Sequence, residues 1–271
     1  MAQNLPGSLP TAGASLLLDA DDPAPVRVLR ADGRSDFLLT ADHAGRAIPR
    51  RLGTLGLPPA EVDRHIAWDI GIAGVTERLS ASLDAAAVFQ TYSRLVIDCN
   101  RSPEVESSIS AISEATEIPG NRGISEAERL ARRREIFEPY HSRIRALLDT
   151  RQAAKRRTVL VAMHSFTPVF KGESRAMQIG VLYNRDKRLA HILLDLLRAE
   201  GDVVIGDNAP YSVSDLTDYT VPIHAERRGL PHVEIEIRQD LIADEAGQAS
   251  WAARFARLLP AADARLREAG A

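Results

Sequence analysis

The sequence predicts an α/β protein built as one domain, and three stretches carry that expectation. Thr158-Val159-Leu160-Val161-Ala162-Met163-His164-Ser165 is a short apolar run, rich in β-branched residues, that ends abruptly in an imidazole and a hydroxyl. That is the pattern of a buried parallel strand delivering polar side chains to its carboxyl edge. Phe37-Leu38-Leu39-Thr40-Ala41 likewise runs into Asp42-His43-Ala44-Gly45, and Leu95-Val96-Ile97 into Asp98-Cys99-Asn100-Arg101. Ligands of open α/β sheets bind outside the carboxyl ends of the strands, so His43 and His164 are candidate site residues by position.

With 271 residues, 45 % hydrophobic and 26 % charged, the chain can bury a sizeable core. A formal net charge of -3 gives no general attraction to nucleic acid, and Arg132-Arg133-Arg134 lies among Glu126, Glu128, Glu135 and Glu138 as a solvated helix face. One cysteine, Cys99, excludes an internal disulfide and fits a reducing compartment. The amino terminus has no basic n-region, and Leu16-Leu17-Leu18 is far shorter than the roughly 7 to 15 residues of a signal core. No run approaches a membrane span, so the expectation is a soluble, cytoplasmic protein of open oligomeric state with a small-molecule ligand, without nucleic acid or membrane partners.

Taken in order, residues 1–25 are rich in Pro, Gly, Ala and Asp without periodicity and predict an irregular lead-in to a single domain over 26–271. Val26-Arg27-Val28-Leu29 and residues 37–40 flank Ala31-Asp32-Gly33, which reads as a hairpin or tight turn. Pro58-Pro59 precedes a short helix over 60–67. Asp69 can cap the next helix, whose apolar Ile70, Val75, Leu79 and Leu83 recur at helical spacing. Ala87-Val88-Phe89-Gln90-Thr91 and residues 94–98 read as two strands joined at Tyr92-Ser93. A long loop with Pro103, Pro119, Gly120 and Gly123 follows, and such loops in compact domains are usually functional.

Ser125 and Glu128 form a capping box for a charged helix that Pro139 breaks or kinks before it continues to about residue 153. After the His164 strand come a strand over 177–183, an amphipathic helix over 186–200 closed by Gly201, and a short strand over 203–205. Residues 211–228 are polar and irregular. Residues 232–238 alternate as a strand, and 248–268 form a last helix with Trp251, Phe255, Leu258 and Leu259 inward.

Two strand-end histidines with a carboxylate suit a catalytic zinc, which takes three protein ligands and keeps one position open for water. There is no HExxH and no cysteine cluster, so the ligands must be gathered from distant segments; otherwise each histidine is an ordinary polar residue. In Val233-Glu234-Ile235-Glu236-Ile237 the two glutamates share one strand face. Either this is an edge strand with a solvated face, or a glutamate there serves as general base. Asn100-Arg101 offers a guanidinium fork and an amide that would suit an amino-acid carboxylate, with pairing of Arg101 to Asp98 as the structural alternative.

Several motifs occur together in an order that resembles the N-formylglutamate amidohydrolase family. They are Asp42-His43-Ala44-Gly45 with Ile48-Pro49, Trp68-Asp69-Ile70-Gly71, Tyr92-Ser93-Arg94 through Asn100-Arg101, Pro139-Tyr140-His141, Met163-His164-Ser165 and Glu236-Ile237-Arg238-Gln239. The resemblance covers roughly residues 38–241. It implies the architecture of zinc-dependent carboxypeptidase-like hydrolases, a mixed, mostly parallel sheet between helical layers. It also implies Zn²⁺ and hydrolysis of the amide of N-formyl-L-glutamate or a related N-acyl amino acid in amino-acid catabolism, such as histidine degradation.

Carried over by position, the resemblance implies metal ligands His43, Asp69 and His164, with His65 as a possible substitute for Asp69. It further implies Glu236 as the base, His224 as a histidine reaching the substrate, and Asn100, Arg101 and Arg94 for substrate binding. Family members that degrade N-formylglutamate carry Thr-Asp-Trp-His where this chain has Ala67-Trp68-Asp69-Ile70, which leaves the N-acyl amino acid open. Other readings are a zinc amidase or peptidase acting on small peptide-like amides, or a non-catalytic amino-acid-binding protein on the same scaffold.

Overall fold

The computed structural model describes residues 17–270. Its centre is a seven-stranded sheet whose strands, in chain order, are β1 (Val26–Leu29), β2 (Phe37–Ala41), β3 (Ala86–Gln90), β6 (Val159–Phe166), β9 (Ile179–Leu182), β10 (Ile205–Asp207) and β11 (His232–Arg238). Two small hairpins stand outside it, β4 (Ile112–Ser113) with β5 (Thr116–Glu117) and β7 (Val169–Phe170) with β8 (Glu173–Ser174). The spatial order is β1-β3-β2-β6-β11-β9-β10. Only β1 with β3 and β11 with β9 run antiparallel, so the sheet is mixed and mostly parallel, as expected.

Strand period sorts the side chains of the central strands onto two faces. Leu39, Val161, Met163, Val233, Ile235 and Ile237 pack under the helices α2 (Ile72–Leu83), α5 (Arg188–Glu200) and α6 (Glu245–Glu268). Leu38, Leu160 and Ala162 face the other way, towards α4 (Glu138–Ala153), the 92–124 loop and the turn at Val221–Ala225. His164, Glu234 and Glu236 fall on this second face by the same alternation.

Ser125 caps α3 (Glu126–Arg132) with Glu128 in a reciprocal capping box, and a π-turn over Arg133–Phe137 leads into α4, where Pro139 occupies the first turn. That position needs no backbone donor, so the proline shifts the helix rather than ending it. The helix expected over 60–67 is a single turn, α1 (Pro59–Val62).

Two expectations change. β1 and β2 are not a hairpin: β3 lies between them, pairing antiparallel with β1 and parallel with β2. Residues 94–98 are turn rather than strand, since Ser93 accepts from Leu95 at its hydroxyl and from Val96 at its carbonyl, which closes the chain on itself. Of the irregular lead-in, residues 1–16 lie outside the described residues. Residues 17–25 are turn and bend, tied down where Glu135 accepts from the Leu17 and Leu18 amides. No helix among the described residues is long and apolar enough to cross a membrane.

Candidate active site

The carboxyl ends of β2 and β6 open into a cavity of about 580 Å³ whose wall includes His43, Asp69, Arg94, Asp98, Arg101, His164, Glu234 and Glu236. Sequence placed most of these residues near one another only through separate strands. The chain brings them together by close backbone docking at the Asp42-His43-Ala44-Gly45 corner. A Cβ on Gly45 would sit 1.9 Å from the Thr91 carbonyl oxygen, so glycine lets this corner lie against the exit of β3, where the Ala47 amide donates to Thr91.

Asp69 arrives on the turn before α2. Its amide donates to the His43 carbonyl at 2.9 Å, and the helix begins at Gly71 in the left-handed region with φ 81°. Asp69 therefore does not cap α2. Its Oδ2 instead lies 3.1 Å from His164 Nδ1 and 3.6 Å from His43 Nδ1, and also accepts from the Ser165 amide. Ligand atoms of the three residues lie within 4.8 Å of one another, and all three are buried.

The outer nitrogens of both imidazoles face carboxylates that sequence reasoning did not assign. His43 Nε2 is 2.7 Å from Asp98 Oδ1, and His164 Nε2 is 3.3 Å from Asp42 Oδ2. Such partners orient each imidazole so that its Nδ1 turns towards Asp69, and they raise its basicity. Asp42 is held in turn at Oδ1 by the Tyr140 hydroxyl at 2.6 Å and the Thr220 hydroxyl at 2.8 Å. Asp98 Oδ2 accepts from Arg94 Nη2 at 2.6 Å.

The charges reinforce this arrangement. Burial opposes ionisation of Asp69 and Asp98, yet His43 and His164 for the first, and Arg94 and His43 for the second, hold both below the ordinary carboxylate range. Burial and Arg94 disfavour a proton on His43, but Asp98 and Asp69 outweigh them and raise its pKa; burial likewise disfavours the His164 proton, and Glu234, Asp42 and Asp69 raise it well above the usual value.

β11 is a central strand, which removes the reading of its glutamates as a solvated edge. Glu236 is paired in register with His164, is 6 % exposed, and has an Oε2 without a hydrogen-bond partner. Burial pushes its carboxyl up to about 7.

The other expected residues separate into groups. Arg101 lines the cavity, its nearest acid being Asp98 with Nε to Oδ2 at 3.5 Å, a looser pair than that of Arg94. Arg94 is committed to Asp98 and lies 3.6 Å from Asp69. Asn100 also lines the cavity, and its side chain is partly engaged by the chain itself. Its side-chain oxygen accepts from the Tyr219 and Thr220 amides and its amide donates to Asp218, so it ties the 218–220 segment to the loop.

His65 is on the cavity wall but faces Glu114 at 3.2 Å rather than the two histidines. His224 is not among the cavity-lining residues. Its Nε2 lies 2.9 Å from His141 Nδ1, and His141 Nε2 lies 2.8 Å from the Cys99 carbonyl oxygen, in a buried cluster of rings with Phe137, Tyr140 and Tyr219. Asp-His adjacency at residues 42–43 was the one sequence signal that could have pointed to Asp42; nothing local marks Asp98.

Residues 35–243 match the model of the N-formylglutamate amidohydrolase family. The chain belongs to that amidohydrolase family. It is similar to a gene product of Agrobacterium tumefaciens of known crystal structure, with 40 % identity, coverage of 93 % of this chain and 99 % of that one, and a TM-score of 0.89. It also shares its fold with a crystal structure of N-formylglutamate amidohydrolase from Ralstonia eutropha, at 17 % identity, 91 % and 100 % coverage and a TM-score of 0.63. A comparison with curated proteins returns no match.

Proposed function

We propose that this protein is a zinc-dependent hydrolase that cleaves the amide of an N-acyl amino acid, N-formylglutamate or a relative of it, to a carboxylate and a free amino acid. The observation that carries the reading is the buried group of His43 Nδ1, His164 Nδ1 and Asp69 Oδ2. Ligands about 2.0–2.1 Å from a tetrahedral zinc lie roughly 3.3 Å from one another, and the two separations from Asp69 Oδ2 are 3.1 and 3.6 Å. His43 Nδ1 is buried without a hydrogen-bond partner, as a nitrogen kept for a cation would be. The donor set, two imidazoles that release their protons when a cation binds and one carboxylate, suits zinc with an open position.

Zinc bound there supplies a Lewis acid for the amide carbonyl and brings the acidity of water towards neutrality. Glu236, beside His164 on the neighbouring strand, is placed to take the proton of the attacking water. Water's oxygen adds to the carbonyl carbon, the carbon–nitrogen bond breaks, and Glu236 returns the proton to the leaving amine. Arg101, at the His43 side of the cavity, is the residue available to hold the substrate's carboxylate.

Metal analysis of protein purified without chelator, together with release of amino acid from a panel of N-formyl and N-acyl amino acids, tests the proposal. The expected result is close to one zinc per chain, lost in His164→Ala, and hydrolysis that tracks zinc content. Full metal in His164→Ala, or zinc-loaded protein inert to the whole panel, refutes it.

A further inference from the structure

Hydrolysis as described leaves the Glu234 carboxyl of the cavity wall without a task. Glu234 lies two residues before Glu236 on the same face of β11, opposite Ala162 of β6 and Leu182 of β9. It lines the cavity, is 3 % exposed, and its Oε2 has no hydrogen-bond partner. A buried polar group in that condition costs stability unless something outside the chain satisfies it. Burial pushes this carboxyl well above the ordinary range, with His164 pulling it down and Asp218, Glu236 and Asp42 adding to the rise. Its unpartnered oxygen is a hydrogen-bonding position presented to whatever fills the cavity.

Sheet order places Glu234 relative to the rest of the cavity. Strands β3, β2, β6 and β11 are consecutive. Asp98, Arg94 and Arg101 cluster against His43, at the end of β2, whereas Glu234 and Glu236 rise from β11 on the far side of His164. A substrate lying across the two histidines with its carboxylate at Arg101 directs its acyl group towards β11. A formyl group is a single carbon and would leave Glu234 unmet. The cavity of about 580 Å³ is of the size that receives far larger groups.

We propose that Glu234 forms an acyl-group subsite, and that the substrates are N-acyl amino acids whose acyl group carries a hydrogen-bonding function, a hydroxyl or a further amide. This rests on the reading of the site as an N-acyl amino acid hydrolase. A subsite built to hydrogen-bond its ligand discriminates against an analogue that leaves the buried group unpaired, whereas a hydrocarbon pocket discriminates weakly.

The test is a kcat/KM comparison on zinc-loaded enzyme with N-formyl, N-acetyl, N-hydroxyacetyl and N-(acetylglycyl) glutamate, for wild type, Glu234→Gln and Glu234→Leu, with zinc content measured in each. Wild type is expected to prefer the hydroxyacetyl and acetylglycyl compounds over acetyl by about tenfold or more. Glu234→Gln, which keeps a donor and an acceptor, holds that preference within about threefold. Glu234→Leu loses the preference while its zinc content stays near wild type. A wild type that cleaves formyl or acetyl compounds with no polar preference overturns the subsite without recourse to any variant and leaves the hydrolase reading standing. Preference retained in Glu234→Leu also overturns it. Zinc-loaded enzyme that cleaves no member of the panel removes the hydrolase reading, and the subsite with it.

Discussion

Asp98→Asn isolates one carboxylate on which the proposed metal site depends. Asp98 Oδ1 faces His43 Nε2 at 2.7 Å and accepts from the Asn100 amide at 2.9 Å, while Oδ2 accepts from Arg94 at 2.6 Å. An asparagine preserves the shape but has only one acceptor oxygen, so either His43 or Arg94 is left facing an amide that donates. Removing such a partner from a metal-binding histidine costs about 10- to 100-fold in affinity, or roughly 1.4 to 2.7 kcal/mol. Stability of the metal-free chain should fall by about 3 kcal/mol, the low end for a broken buried pair. The low end applies because the Arg94 side chain keeps 28 % of its surface in solvent and screens part of the loss. Competition against a chelator of known zinc affinity measures the first effect, and urea unfolding of chelator-treated protein the second. A zinc dissociation constant within threefold of wild type, alongside the stability loss, would reduce Asp98 to a fold residue and refute its role in orienting His43.

Three further outcomes follow from the same geometry. Glu236→Gln should lower turnover by on the order of 10²- to 10⁴-fold with zinc content unchanged; since burial holds this base at about 7, the wild-type rate should fall as pH drops below neutrality, a limb absent from the variant. Zinc beside it favours the carboxylate, so in holoenzyme that limb lies at or below this value, and a limb retained by the variant assigns the base elsewhere. Arg101→Lys should lose about ten- to a hundredfold in kcat/KM, chiefly through KM, on substrates with a free carboxylate; equal losses on carboxyl-amidated substrates would show that Arg101 serves Asp98 alone. Burial pushes His141 down to about 4, and burial with the His141 charge pushes His224 down to about 3, so both are neutral in the fold and bind protons on unfolding. Their stabilisation is whole above the unfolded value of about 6.5 and is lost as pH falls through it towards 4. His224→Gln should flatten the fall of unfolding free energy over that window by nearly one proton, and an unchanged slope in urea unfolding would count against the buried neutral pair.

The α/β class was legible because the buried strands are written twice over, as runs of β-branched residues and as polar residues at their carboxyl ends. Alternation did the same for β11, where Val233, Ile235 and Ile237 enter the core under α5 and α6 while the glutamates face the cavity. Pairing was less legible. The turn at Ala31-Asp32-Gly33 invited a hairpin, but β1 buries its residues only partly and sits at an edge, antiparallel to β3. Leu95, Val96 and Ile97 are as buried as strand residues. The Leu95 and Val96 amides, however, are satisfied by Ser93, and the Asp98 amide by Ser108 of the loop that follows, and an apolar run alone does not report that.

Within the site, the residues that sequence picked out are those whose chemistry is visible one at a time: histidines at strand ends, a glutamate on an apolar strand. The carboxylates that orient them were invisible because each serves the histidine it does not adjoin. Asp42 is next to His43 in the chain but faces His164, while His43 is served by Asp98 from the loop that follows β3. The crossing arises at a turn: Asp42 and His43 are the central residues of the turn from Ala41 to Ala44, and Asp42 is held at Oδ1 by Tyr140 and Thr220 while its Oδ2 faces His164 of β6. Asn100 carries bonds that the sequence did not show. Its side-chain amide, read as a ligand for substrate, lines the cavity and also accepts from the Tyr219 and Thr220 backbone amides. By holding the segment that carries the Thr220 hydroxyl against Asp42, Asn100 is linked to the carboxylate that faces His164.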